Sequence, residues 1–340
     1  AHGLSTNLPP APGCAILLRL MLAEHVTRIA RGDPGVIAIV GPTAAGKTAA
    51  AVELAGSIGA EIVSADSMAV YRGMDIGTAK PSASERAAAV FHLVDVADPA
   101  RPFSVAQYQR LAHRAIDGIL RRGRAALVVG GSGLYVRAAI DGLDTSVPAE
   151  DVELRRELRE RAREHGSAWV HARLAAVDPE SARLIHPNNL KRVIRALEIF
   201  ELTGQPASAI FAADAERPPR YNGARWFGLT VDRAALFDRI DRRVDLMIDA
   251  GLVDEVAGLL KSGAGSGPTA MQGLGYREVA GYLRGEYGLD EAIALLKKNT
   301  RRFARRQYTW FRADSRVEWI DVDGLNAEEV SQIIKERIEQ

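Results

Sequence analysis

Residues 41–48 read Gly-Pro-Thr-Ala-Ala-Gly-Lys-Thr, a GxxxxGK[ST] loop. An apolar run, Val36–Val40, bounded by Gly35 and Gly41, precedes it. An alanine-rich stretch from Gly46 to about Ile58 follows and predicts a helix. Strand, glycine-rich loop and helix form the context in which such a loop binds phosphate. The glycines let successive backbone N–H groups turn toward one anion, and the helix N-terminus adds the positive end of its dipole. Gly41, Pro42, Thr43, Ala44, Ala45 and Gly46 are therefore expected to cradle a di- or triphosphate. Lys47 supplies a mobile cation, and Thr48 a hydroxyl for Mg2+.

The chain around this loop alternates in the same way. Glu61–Ser64 and Ala125–Val129 read as buried parallel strands, Phe91–Val96 as a third candidate, and Val105–Arg121 as an amphipathic helix. The pattern changes at Asp141–Pro148. Beyond it, Asp151–Phe200 shows only helical apolar spacing. Arg225–Val231 is again strand-like, Ala234–Leu260 helical, Gly263–Gly275 a glycine-rich loop with Ser262–Pro268 mobile, Asp290–Trp310 a helix and Val317–Ile320 a late strand. The expected fold is α/β: a P-loop-type parallel sheet flanked by helices, with an all-helical insertion domain. The expected divisions are an N-terminal extension (1–35), the first part of the core (36–147), the insertion (148–213), and the second part of the core with C-terminal helices (214–340).

Composition narrows the class. The chain of 340 residues has room for about two domains of roughly 150 residues. No run of 18 apolar residues spans a bilayer. The single cysteine, Cys14, makes no internal disulfide and no Cys-based zinc site. The reading is a soluble, cytoplasmic protein with no membrane partner, expected to be a monomer. Pro9, Pro10 and Pro12 open a flexible leader that continues into an amphipathic stretch, Ala15–Arg28. Net charge is +1, so local charge matters more than the total. Asn299–Arg316 carries six arginines against one acid, Asp314, whereas Asp151–His165 balances five arginines with five acids and reads as a solvated helix face.

The chemistry begins at Asp66, just beyond the second strand. Carboxyl ends of parallel strands line the ligand crevice, so Asp66 and the phosphate loop open on one edge. A carboxylate there serves as general base or metal ligand, or caps the following turn. A P-loop ATPase adds an acid after a hydrophobic strand. Here Ala125–Val129 runs into Gly130-Gly131 instead, and Asp95 lies within Leu93–Val96. This favours a kinase or another transferase with a phosphate leaving group over a hydrolase.

The run Ser64-Ala65-Asp66-Ser67-Met68-Ala69-Val70-Tyr71-Arg72-Gly73-Met74-Asp75-Ile76-Gly77-Thr78-Ala79-Lys80-Pro81 resembles the signature of tRNA dimethylallyltransferases. So do Val129–Tyr135, Lys191–Glu198, Gly273–Glu278 and Thr300–Phe311, all in family order across about Val36–Ile320. The resemblance implies transfer of a dimethylallyl group from dimethylallyl diphosphate to N6 of adenosine 37, beside the anticodon of tRNA. The loop then holds the donor's diphosphate, with Mg2+ as cofactor and no ATP used. It also implies that Asp66, Thr43 and Ser132 are catalytic, and that Arg243 joins the loop in gripping diphosphate; from its own surroundings Arg243 reads as a helix-surface arginine. The tRNA anticodon stem-loop would meet Asp66, Ser67, Met68, Ala69, Ser132, Lys191, Arg192, Val193, Ile194, Arg195, Gln272, Gly273, Leu274, Gly275, Tyr276 and Arg277. Ala69 stands where the family often has Gln, and Ser132 where it often has Thr.

From the residues alone, Thr43 and Ser132 also fit simple turn-forming hydroxyls, and Ser67–Ala69 a plain turn. Thr300–Arg312 reads as a surface helix or as a phosphate-contacting stripe, with Phe303, Gln307 and Trp310 expected to pack inward. A small-molecule kinase, prenyl transfer to free AMP and an RNA-binding NTPase switch are the rival functions.

Overall fold

Val36–Val40 (β1) is buried at all five positions, as a strand covered on both faces requires. The computed structural model describes residues 35–144, 150–264 and 269–340. Glu61–Ser64 (β2), Phe91–His92 (β3), Ala126–Gly130 (β4), Arg225–Thr230 (β5) and Val317–Asp321 (β6) join β1 in one six-stranded sheet. Its order is β3-β2-β4-β1-β5-β6, with every neighbouring pair parallel. Val40 lies opposite Gly130, and Ser64 opposite Val129. The three central strands therefore finish nearly level, and their following loops leave the sheet at one edge.

Lys47–Ile58 (α1) buries Ala50, Ala51, Leu54 and Ala55 on the sheet. Ala327–Glu339 (α14) adds Val330 and Ile334 to the same core, beside Ile39, Leu127 and Phe227. Ala83–Ala88 (α2), Val105–Arg121 (α3) and Gly133–Ile140 (α4) complete the helices before residue 142. Two compact units emerge. One ends at Gly142 and resumes at Arg220; the other is Leu143–Pro219, wider at both ends than the 148–213 read from the sequence.

The second unit holds Val152–His165 (α5), Ser167–Val177 (α6), Pro179–Leu184 (α7), Leu190–Thr203 (α8) and Ala207–Ala215 (α9). Its core is Leu158, Val170, Leu174, Val193 and Leu197. Glu198 is buried within it and receives Arg155 Nε and a second Arg155 nitrogen, each at 2.7 Å, and the Asp151 N–H at 2.8 Å. Burial pushes this carboxyl up, but hydrogen bonds from Arg155 and Arg195 overcome that and hold it below the usual range.

After residue 220 the first unit adds Arg233–Asp249 (α10), Leu252–Lys261 (α11), a 3₁₀ turn at Ala270–Gln272, Tyr276–Leu283 (α12) and Leu289–Arg312 (α13). Three sequence expectations change. The third strand stops at His92, because Leu93 and Asp95 take left-handed backbone angles (φ 65° and 61°) that no strand admits. Ala234–Leu260 divides into α10 and α11 at Gly251 (φ 96°). The glycine-rich loop 263–275 contains the 3₁₀ turn. The N-terminal extension up to residue 34, part of the Asp141–Pro148 transition and residues 265–268 of the Ser262–Pro268 loop lie outside the described residues. Among the described residues, no helix is long and apolar enough to cross a membrane.

Gly130 is where β4 meets the end of β2 most tightly. A Cβ built there would sit 2.2 Å from the carbonyl oxygen of Ala65, the buried residue just past the end of β2, whose backbone cannot give way. Gly130→Ala is expected to lose about 1–3 kcal/mol of stability, the usual cost of overpacking, read as a lowered thermal midpoint. A midpoint equal to that of the unsubstituted protein would refute the close approach.

Candidate active site

The phosphate loop leaves β1 and enters α1 through Gly46 in a left-handed turn (φ 84°). Ala44 is left-handed as well (φ 65°). Gly41, Pro42 and Ala45 are buried and do not line the cavity, contrary to expectation; Ala45 packs into the core under the loop and anchors it from below. Lys47 Nζ donates to the Pro42 carbonyl at 2.5 Å. Thr43, Ala44, Gly46, Lys47 and Thr48 line a cavity of about 360 Å³ that also contains Asp66, Ala69, Gly130, Gly131 and Arg243.

Asp66 comes two residues after β2. Its Oδ1 accepts the N–H groups of Met68 (2.8 Å) and Ala69 (3.2 Å), so the turn-capping reading is realised on one oxygen. No group among the described residues donates to Oδ2. Ser132, at the start of α4, braces the same turn: its Oγ accepts the Ser67 N–H and donates to Ser67 Oγ, both at 3.1 Å.

Two cations share this cavity. Arg243, on α10, faces inward and is not the free surface arginine that its neighbours in sequence suggest. Burial pushes its guanidinium below its ordinary value, with Asp66 and Glu85 partly offsetting. Burial, and next the Arg243 charge, push Lys47 down to about 7, with Asp66 opposing. Two half-buried cations held close enough for Arg243 to lower the proton affinity of Lys47 are the electrostatics expected of an anion site. Phe91, Phe303 and Val129 give the cavity apolar walls beside this charged floor.

The residues assigned to RNA divide sharply. Ser67 and Met68 are half-buried beside Asp66, and Ala69 is buried at the cavity wall. Gln272 and Arg277 are exposed, Leu274 is half-buried, and Gly273 and Gly275 are covered. Tyr276 is fully buried. Its hydroxyl donates to Glu255 Oε1 at 2.6 Å, while Glu255 accepts the N–H groups of Asp75 (2.9 Å), Ile76 (2.8 Å) and Gly77 (3.2 Å). Tyr276 thus latches the 75–77 turn and has no surface to offer RNA. In the helical unit, Lys191 and Arg192 are exposed, but Val193 and Ile194 are core residues and support the helix from within. Arg195 binds Glu198 at 2.5 Å.

The arginine stripe is thinner than its sequence. Arg301 pairs with Asp241 (2.5 Å), Arg316 with Asp141 (2.6 Å) and Asp314 (2.6 Å), and Arg312 lies over Tyr308. Arg302, Arg305 and Arg306 remain exposed. Trp310 is 40% exposed, against the expectation that it packs inward. Asp95 does not line the cavity; it is engaged by Lys80 (2.5 Å) and Arg86 (3.0 Å).

Sequence reasoning turned Gln307 inward, as found, but gave it no partners, and it gave no role to Glu255 or Lys80. Lys80 is buried and bonds the Tyr71 carbonyl at 2.6 Å and Asp75 at 2.5 Å. The signal for Gln307 was present: a neutral amide on the one apolar face of an arginine-rich helix.

An α/β enzyme built around a phosphate loop is what this sheet edge and cavity define. A family model described as IPP transferase matches residues 69–314, and one described as isopentenyl transferase matches residues 34–90. The tRNA dimethylallyltransferase of Desulforudis audaxviator is 52% identical over 290 residues, 85% of this chain and 93% of that protein. That of Symbiobacterium thermophilum is 50% identical, covering 88% and 95%. The crystal structure of the full-length tRNA isopentenylpyrophosphate transferase from Bacillus halodurans superposes with a TM-score of 0.66 at 43% identity, over 90% of this chain and 97% of that one. A eukaryotic dimethylallyltransferase acting on tRNA gives a TM-score of 0.73 at 26% identity, over 86% and 74%. The chain belongs to the IPP transferase family, that of the tRNA dimethylallyltransferases.

The depressed Lys47 has a measurable consequence. An anion bound against it favours the ammonium and raises its pKa, so binding takes up a proton wherever Lys47 is partly neutral. Affinity for inorganic diphosphate is expected to fall as pH rises through about 7, with up to one proton absorbed per diphosphate above that pH. Calorimetry in buffers of different ionisation enthalpy reads the proton directly; binding without proton uptake would contradict this assignment.

Proposed function

We propose that the protein transfers the dimethylallyl group of dimethylallyl diphosphate to N6 of adenosine 37 in tRNA, releasing diphosphate. The observation that carries this reading is the presence of the phosphate loop, Arg243 and Asp66 in one cavity with an apolar wall. An adenine amino group is a weak nucleophile, because its lone pair is delocalised into the ring. It must lose a proton as the new C–N bond forms. Asp66 Oδ2 is the acceptor, while Oδ1 stays committed to its turn. General-base help of this kind is worth about 10²–10⁴-fold.

As N6 attacks the allylic carbon, the carbon–oxygen bond to diphosphate breaks and negative charge builds on the leaving oxygen. The loop N–H groups, Lys47 and Arg243 face that charge in a partly desolvated site, where fixed donors act most strongly. Phe91 and Phe303 border the prenyl tail, and their rings suit the positive charge on the allylic carbon. Thr43 and Ser132 contribute through the geometry of the loop and turn they belong to. The target base leaves its stack to reach Asp66, at a cost of a few kcal/mol.

Mg2+ takes one or two protein oxygens together with phosphate oxygens and water. Thr48 and Asp66 line one cavity, and no cluster of three His, Cys, Asp or Glu occurs among the described residues. That donor set fits Mg2+ carried in on the diphosphate with Thr48 as its protein ligand, where it would neutralise part of the leaving group's charge. With tRNA as substrate, the compartment of action is the cytoplasm.

Incubation with labelled dimethylallyl diphosphate, Mg2+ and unmodified tRNA is expected to move label into RNA; phosphate transfer from ATP without RNA would instead support a kinase. Asp66→Asn keeps the Oδ1 acceptor of the turn while removing the base, together with the negative charge that faces Lys47 and Arg243. Its turnover is expected to drop at least about a hundredfold with stem-loop affinity retained, and undiminished turnover would remove Asp66 from the mechanism. Replacing exposed Arg305 and Arg306 by alanine is expected to lower the salt slope of tRNA binding by about 1–2, at 0.7–0.9 per phosphate contact. A slope identical to that of the parent would place RNA elsewhere.

A further inference from the structure

We propose that Gln307 is a positioning residue that sets the spacing between the phosphate loop and the turn carrying Asp66, an inference that rests on the transfer reaction above. Gln307 is 5% exposed on α13 and lines the cavity. Its Oε1 accepts the Thr43 N–H at 2.9 Å, and its Nε2 donates to the Gly131 carbonyl at 2.9 Å. One side chain therefore ties the loop after β1 to the loop after β4. The next residue, Ser132, holds the Ser67 N–H and Ser67 Oγ, and Ser67 follows Asp66. A continuous path thus runs from the donor's diphosphate cradle, through one amide, to the base.

The chemistry of the position admits little else. The side chain must accept from one backbone and donate to another while carrying no charge. An arginine, the commonest neighbour on this helix, has no acceptor for the Thr43 N–H. A glutamate would bring a negative charge into a cavity built for an anion and could not donate to Gly131. The approach is also tight: a Cβ on Gly131 would lie 2.1 Å from Gln307 Nε2, so the amide reaches the carbonyl because residue 131 is glycine. The Thr43 N–H, engaged by Oε1, is withdrawn from the donors that face phosphate. Gln307 therefore marks where the cradle ends, as well as how far it stands from Asp66.

A residue with this role governs the reaction step more than either binding step, because both substrates still find their own contacts while the distance between them is lost. Misplacement by about 1 Å costs on the order of 10²-fold in rate. Gln307→Met keeps the volume and removes both hydrogen bonds. It is expected to lower kcat at least about tenfold while KM for donor and for tRNA each stay within about threefold. Ser132→Ala should lower kcat by breaking the same path. The double variant should then be no more than about threefold below the worse single variant, since both act on one linkage. Gln307→Glu gives a second reading that does not depend on how well the Met variant folds: when protonated, it regains a donor for Gly131. Its kcat relative to the parent protein is expected to rise as pH falls from about 8 to about 6. A parent protein that leaves RNA unlabelled would overturn the transfer reading itself. With transfer intact, each of four results would overturn the role of Gln307: a Met variant within about twofold of the parent, a loss confined to donor KM, losses that multiply in the double variant, or a Glu variant whose relative rate is flat with pH.

Discussion

Parallel pairing of β2, β4 and β1 is the constraint from which the rest follows. Because Val40 is level with Gly130 and Ser64 with Val129, the loop that grips phosphate, the glycine run and the aspartate turn meet without any long excursion of the chain. The sheet interior explains the composition of the strands, and its edge explains the polar residues just beyond them. A shift of register in any one strand would separate a cation from its carboxylate. At the carboxyl ends of β2 and β4, the Ala65 N–H donates to the Val129 carbonyl at 2.8 Å, and Gly130 leaves room for the Ala65 carbonyl.

The electrostatics of the cavity fit one role. Lys47 and Arg243 stand near each other with Asp66 as the shared counter-charge, an arrangement that an anion relieves and a neutral ligand does not. Asp66 lines the cavity while its Oδ1 holds the turn, and no group among the described residues donates to Oδ2. This explains how a carboxylate sits beside a phosphate site without being drawn off into an ion pair.

What could be read from the sequence was what is local. The loop at 41–48 and Asp66 are recognisable because their spacing along the chain fixes their geometry. Gln307 was not, because its partners Thr43 and Gly131 lie 264 and 176 positions away. Lys191–Glu198 and Gly273–Glu278 show the limit of motif resemblance. Such a segment mixes residues that touch a ligand with residues that hold the segment in place, and burial alone separates exposed Lys191 and Arg192 from Val193, Ile194 and Tyr276. The strand expected over Phe91–Val96 failed for a similar reason: it stops where Leu93 and Asp95 turn left-handed, and the Asp95 carboxylate is held by Lys80 and Arg86 from outside the run.

Helix α14 packs on α1, the helix that begins with Lys47, and β5 and β6 complete the sheet beside β1. All three elements are made after the helical unit 143–219, which carries its own core. On the ribosome, that unit can therefore settle while the sheet still waits for two of its six strands. Helix α1 gains the covering side chains Val330 and Ile334 only after β5 and β6 have been made. Its non-local closure makes the sheet the slow partner in folding, and β1 spends the interval with one edge awaiting β5.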